Sequence, residues 1–350
     1  LDLVIGGFDW KEGEEAVMAN QDYGAMLNQF DQMAERYGMV NKRIDVPLHP
    51  TSDDEIVNIY ANAITDKTRL LMVCHMINIT GHILPVRKIC DMAHSKGVEV
   101  MVDGAHAFAQ FCLNEGIAVK AVLNNDVIGG IVCGETSSAP SCPGLNHIDS
   151  TQVRLFSSNS LNKQLSRFIK LEYQEELESI VSVPMMLTIM SAEDRVGRGG
   201  DHIPFRQRGF SAMRFTSANE HGNANVSDPD YHDRQHTTGD QLGEDTDGDG
   251  VIDSFFVDMN YLARNAVING VSASFLAIGP DPVDFSGEKF ADSLRITIED
   301  PNDYLHYRIF TRTNMQDFDT IYTLVNSKTI TIKRVTGGAV LFQASVAAVD

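Results

Sequence analysis

Positive charge is what this sequence has least of. Its 28 Lys and Arg stand against 48 Asp and Glu, a formal net charge of −20 at pH 7. A nucleic-acid partner requires a basic face to neutralise phosphates, so that class of function is excluded. Long apolar runs are missing too. None reaches the roughly 18 residues of a membrane-spanning helix, and no basic-then-apolar leader opens the chain, so no membrane partner is expected. Leu1 already reads as folded sequence, which places the expected natural start upstream. Cysteine is scarce, five in 350 residues. Cys74, Cys90 and Cys112 sit in apolar or helical settings, as reduced core thiols do. Cys133 and Cys142 bracket a Gly/Ser/Pro loop and are equally readable as free thiols or as a small disulfide ring of a secreted protein.

What is present suffices for a packed core: 43% of residues are hydrophobic, and the length allows two domains or one with an appendage. Apolar spacing predicts a helix over 25–37, stopped by Gly38, a strand over 69–74, a helix over 86–95 and a strand over 98–102. Strand, helix, strand in about 35 residues is a βαβ unit with parallel strands. Further on, strands are predicted at 119–123, 185–190 and 210–215, and helices at 161–179 and 257–269, the last stopped by Gly270. After Gly279-Pro280-Asp281-Pro282 come short alternating runs at 294–298, 306–311, 329–334 and 340–347, which suggest a small β-sandwich. The expected fold class is α/β, a parallel or mixed sheet flanked by helices in three layers, with a C-terminal β-sandwich. Expected domain limits are 1–111, 112–279 and 280–350.

Asp103 follows an apolar strand and precedes a small-residue turn, the place where open α/β sheets bind ligands. Its bland alternative is a buried Asp capping that turn. The wording Asn78-Ile79-Thr80-Gly81-His82-Ile83-Leu84-Pro85, then Met101-Val102-Asp103-Gly104-Ala105-His106, resembles the class V aminotransferases, a group of pyridoxal-phosphate enzymes that includes the cysteine desulfurases. The resemblance covers about 1–111. It implies that Asp103 pairs with the pyridinium nitrogen, that His106 and Asn78 reach the ring hydroxyl, and that Tyr23 stacks on the ring. Two parts of the family pattern are missing. No lysine downstream has the Schiff-base context, Lys120 and Lys163 included, and the phosphate-binding turn would precede residue 1.

From about 116 to 279 a different pattern holds. Asp126 ends an apolar strand, Asp201-His202-Ile203-Pro204-Phe205 follows, and His236-Thr237-Thr238-Gly239-Asp240 comes later. Together these resemble the zinc aminopeptidase and glutaminyl cyclase superfamily. The resemblance implies Asp126 and His236 as zinc ligands, Asp240 as the group orienting His236, and Asp201 with His202 in the wall of the catalytic pocket. It assigns no role to His221 and His232, which read as solvent-exposed loop histidines. The family's first histidine, bridging aspartate and glutamate pair would precede Asp126, where the aminotransferase-like segment stands instead. Glu14-Glu15 precedes a strand of another motif and is a coincidence.

Asp245, Asp247, Asp249 and Asp253 alternate around Gly248 and Gly250, a spacing that wraps oxygens about calcium; a solvated acidic turn is the alternative. The terminal segment resembles a fibronectin type III module that stops short of its last strand.

The main expectation is zinc-dependent aminopeptidase chemistry on a peptide, impaired by the missing ligands. The first alternative is a pyridoxal-phosphate protein acting on a small amino acid without its lysine. Others are a calcium-stabilised binding module and a composite of two parent sequences joined near 111–116. The peptidase-like part suggests secretion and the aminotransferase-like part the cytoplasm.

Overall fold

Parallel strands covered on both faces need apolar residues at nearly every position, and the first third of the chain supplies them. In the computed structural model, α1 (Asp2–Gly7), β1 (Glu15–Ala19), α2 (Gly24–Tyr37), β2 (Val40–Ile44), α3 (Asp53–Ala63), β3 (Thr68–Cys74), α4 (Val86–Ser95), β4 (Glu99–Asp103) and α5 (Ala105–Asn114) form one unit, Leu1–Asn114. The structure describes residues 2–77, 80–142, 144, 147–158, 161–235, 237, 239–302, 304–313, 317–333 and 343–349. The four strands pair in the order β2-β1-β3-β4, all parallel.

Alternation along the strands divides the first core in two. Ala16, Met18, Leu70, Met72 and Met101 pack with Leu27 and Phe30 of α2 and with Ile5 and Trp10. Val17, Ala19, Leu71 and Val73 pack with Ile56 and Tyr60 of α3 and Ile89 and Ala93 of α4. Helices thus cover both faces, the expected three layers. Gly38 ends α2 in the left-handed region at φ 69°, its N–H returning to the Ala34 carbonyl, a conformation glycine adopts without strain. Helix α5 carries the unit to Asn114, three residues beyond the expected limit of 111.

The second unit, Glu115–Asp350, holds β5 (Val122–Asn125), β6 (Glu135–Thr136), β7 (Gln152–Phe156), α6 (Leu161–Glu172) running into a π-turn at Tyr173–Leu177, β8 (Met186–Ile189), α7 (His202–Gln207), β9 (Ala212–Ser217), β10 (Asn223–Ala224), β11 (Gly243–Glu244), β12 (Ser254–Phe255) and α8 (Met259–Ile278). Its main sheet has the order β5-β9-β7-β8 and is mixed, with β7 and β9 antiparallel. Val153, Leu155, Leu187, Ile189, Met213 and Phe215 face α6 and α8 in one apolar core. The expected helix stop at Gly270 is overturned: α8 runs on to Ile278. Gly270 is exposed there, and the apolar residues that follow propagate the helix past it.

Beyond α8 are β13 (Phe285–Lys289), β14 (Ser293–Ile298), β15 (His306–Arg312), β16 (Thr320–Val325), β17 (Thr329–Lys333) and β18 (Gln343–Val349). They make two antiparallel sheets, β13-β14-β17 and β16-β15-β18. Ile296, Ile298 and Ile332 of the first meet Tyr307, Ile309 and Leu324 of the second in a shared core. Cys133 and Cys142 are disulfide-bonded, while Cys74, Cys90 and Cys112 are free. Among the described residues, no helix is long and apolar enough to cross a membrane.

Candidate functional site

The carboxyl ends of β1, β3 and β4 bring several polar side chains together in the first unit. Asp103, the last residue of β4, is partly exposed and lies opposite Cys74 in the β3–β4 register. Its carbonyl accepts from the His75 N–H at 2.8 Å. A side chain on Gly104 would bring a Cβ within 3.0 Å of the His75 Cβ, so glycine permits this close approach. Tyr23 is half-buried at the head of α2, and His106 is exposed in the first turn of α5. Asn78 lies outside the described residues.

Sequence reasoning missed Asp22. It is 4% exposed, and its carboxyl accepts from the Ala19 N–H at 2.7 Å and the Cys74 N–H at 3.2 Å. Burial, with a smaller push from nearby Asp103, raises its proton affinity to about 6. Burial and the same two carboxyls push the Cys74 thiol up to about 11. Tyr60 of α3 is fully buried near both, its proton affinity raised by burial, and its hydroxyl finds no hydrogen-bond partner among the described residues. The unit's five lysines are placed as follows. Lys11 and Lys67 sit in turns leading into β1 and β3. Lys42 pairs with Glu15, Lys88 with Asp53 and Asp54, and Lys96 donates to the Ala61 carbonyl.

In the second unit, the alternate face of β7 and β9 is buried and charged. Arg154, Phe156, Arg214 and Thr216 are 0% exposed, on the side away from the apolar core. Arg154 pairs with Glu220 at 2.7 Å and donates to the Ser217 and Ser138 carbonyls. Arg214 pairs with Asp194 at 2.6 Å and Asp126 at 3.1 Å, and its Nε donates to the Asp126 carbonyl.

A terminal zinc ligand needs its carboxylate free to meet a cation, and Asp126 already meets a guanidinium. Among the described residues, it belongs to no group of three or more potential metal ligands. His236 lies outside the described residues. Among the described residues, then, none completes a zinc centre with Asp126, whose carboxylate is taken up by Arg214. Asp201 is exposed at the head of α7 without a side-chain capping bond. His202 is buried instead, its Nε2 at 3.1 Å from the Glu193 carbonyl and 3.8 Å from Asp194. Burial, chiefly, lowers its proton affinity. His221 departs from the expectation of an exposed loop residue: it is half-buried, edge-on to Phe256 at 4.7 Å. His232 is exposed. Lys163 is 1% exposed and donates to the Ser157 and Met190 carbonyls at 2.7 and 2.5 Å, a strand-end cap.

The acidic loop joins β11 to β12. Asp245, Asp247 and Asp253 offer ligand atoms within 4.8 Å of one another, all exposed. Asp249 is outside this group and accepts from the Val251 N–H at 2.8 Å. Asp245 accepts from Gly248 and Gly250, and those bonds hold its proton affinity below the usual carboxylate range.

Comparison with known proteins places one family on the first unit. Residues 1–114 match the family described as aminotransferase class-V. Isopenicillin N epimerase of Amycolatopsis lactamdurans is 34% identical over 96 residues, 27% of this chain and 24% of the epimerase. A probable cysteine desulfurase of Halobacterium salinarum is 35% identical over 97 residues, 27% of this chain and 22% of that protein. A probable zinc metalloprotease of Pyricularia oryzae is 30% identical over 200 residues, 53% of this chain and 36% of the protease. That last alignment is longer than residues 1–114, so it extends into the second unit. The chain spans between 22% and 36% of the length of these relatives.

Proposed function

We propose that residues 1–114 form the ring-facing part of a pyridoxal-phosphate site for a small amino acid. The observation that carries this reading is Asp103 at the carboxyl end of β4, beside the buried Asp22, inside the segment that matches the class V family. Two neighbouring carboxyls, linked through Cys74, suit a ligand that is cationic at that end, as a protonated pyridine nitrogen is. Pyridoxal phosphate, when bound, supplies an electron sink for bonds at the α-carbon of an amino acid. Asp103 would hold the proton at the ring nitrogen, Tyr23 would cover a ring face, and His106 with Asn78 would meet the ring hydroxyl.

None of the unit's lysines has the Schiff-base context, so binding is non-covalent and turnover requires a lysine from outside residues 1–114. Adding the cofactor to the whole chain should shift its absorbance, and Asp103→Ala should weaken binding about tenfold or more. Borohydride treatment should leave no pyridoxyl mass on any lysine. No spectral change with the parent chain sinks the reading.

The second unit we read as related to zinc peptidases without their metal centre. Its identity to the Pyricularia oryzae protein supports the relationship, and the ion pair of Asp126 with Arg214 opposes a working zinc site. Zinc-loaded chain should release no more chromophore from aminoacyl anilides than its Asp126→Ala variant. Release that disappears in that variant would restore the peptidase reading.

A further inference from the structure

The buried carboxyl of Asp22 has a place in the first unit that the ring-binding residues alone leave unexplained. Its two oxygens accept from backbone N–H groups at the ends of two different strands, Ala19 of β1 at 2.7 Å and Cys74 of β3 at 3.2 Å. Each of those strand ends leads to one of the ring-binding candidates. Tyr23 follows Asp22 directly and heads α2. Cys74 is the register partner of Asp103, and the next N–H along, His75, holds the Asp103 carbonyl at 2.8 Å. One side chain therefore couples the strand that positions Tyr23 to the strand that positions Asp103.

We propose that Asp22 is a positioning residue of the cofactor site, a buried carboxyl that clamps the ends of β1 and β3 and exchanges its proton for the positive charge of a bound ring. This inference rests on the pyridoxal-phosphate reading above. Among the described residues, the titratable groups that act on Asp22 include Asp103 on β4, Cys74 on β3 and Tyr60 on α3. None of them carries positive charge. With the site empty, burial and Asp103 both favour the protonated carboxyl, up to about pH 6. A cation seated against Asp103 reverses that preference, so Asp22 ionises as the ligand binds. By linkage, a ligand that favours the deprotonated form binds more tightly as pH rises through the proton affinity of the free site. The Asp22 contribution should strengthen affinity about tenfold between about pH 5 and pH 7.

The test is titration of the full chain with pyridoxal 5′-phosphate across that pH range, for the parent, Asp22→Asn and Asp103→Ala. The ligand's own titrations are common to every chain, so the difference between profiles isolates the side chain. Asp22→Asn is expected to weaken binding about tenfold at neutral pH, through one lost backbone bond and the lost charge, and to remove the Asp22-dependent rise. A merely structural role would lower affinity at every pH and leave the shape of the profile alone. Should Asp22→Asn fail to fold, the carboxyl carbon resonance of Asp22 in the parent chain gives the same answer: it should titrate near about pH 6 when empty and lower when loaded. If the parent binds, Asp103→Ala weakens it and Asp22→Asn keeps the parent's profile, the inference falls while the site stands. If the parent does not bind at all, both fall.

Discussion

A carboxyl that is 4% exposed and lies near another carboxyl holds its proton to a higher pH than a free one, which sets the sign of one pH effect on folding. Asp22 binds its proton up to about pH 6 in the folded chain, against an ordinary value of 3.8. The folded state therefore holds more protons between those values. Its contribution is fully present below about pH 4 and is lost as pH rises through about 6, a swing of about 3 kcal/mol at most. Asp22→Asn should flatten that part of the stability profile in denaturant titrations run at several pH values. The buried pair Arg154–Glu220 behaves differently. Removing one partner leaves the other charged and dry, so Glu220→Ala should cost about 3–5 kcal/mol, and a simultaneous Arg154→Met should recover much of it. Equal destabilisation by the single and double variants would show that the pairing is not what matters. Asp103 was legible in sequence because a carboxylate after an apolar strand marks a sheet's ligand edge. Asp22 was not, since its role comes from an N–H 52 positions away. The single arginines inside Gln152-Val153-Arg154-Leu155-Phe156 and Ala212-Met213-Arg214-Phe215-Thr216 were a readable signal of a buried ion pair that went unused.

Elements were legible where their stop signals and packing agreed. Gly38 ended α2, but Gly270 misled, because a glycine without a breaker beside it only weakens a helix. A side chain at 270 would meet nothing within 4 Å. Gly270→Ala should therefore stabilise the chain by about 0.5–1 kcal/mol, read as a rise in Tm. Helix α3 was missed, although its start is written in Thr51-Ser52-Asp53-Asp54-Glu55. Ser52 accepts from the Glu55 N–H at 3.2 Å, and Glu55 reaches back to Thr51 at 2.6 Å. Ser52→Ala should cost about 1 kcal/mol. The β11–β12 loop tests the calcium expectation: if three of its carboxylates take the ion, calcium raises Tm and a chelator reverses the rise. An unchanged melt leaves it a solvated acidic turn.

At the scale of the whole molecule, the net charge of −20 repels itself, so added sodium chloride should raise Tm where acid-rich surfaces are screened. The α/β class was legible from the strand–helix alternation, and the class V wording of residues 78–106 falls inside the segment the family model matches. What composition did not disclose is the two-faced sheet of the second unit. Val153, Leu155, Met213 and Phe215 look into the apolar core, while Arg154 and Arg214 look the other way. Sliding β9 by one residue past its neighbours would drive Arg214 among Leu165, Ile169 and Tyr173 and strand Asp126 and Asp194 without their cation. The buried charges therefore act as a proofreading device for assembly: they penalise the one-residue slip that would turn each strand inside out.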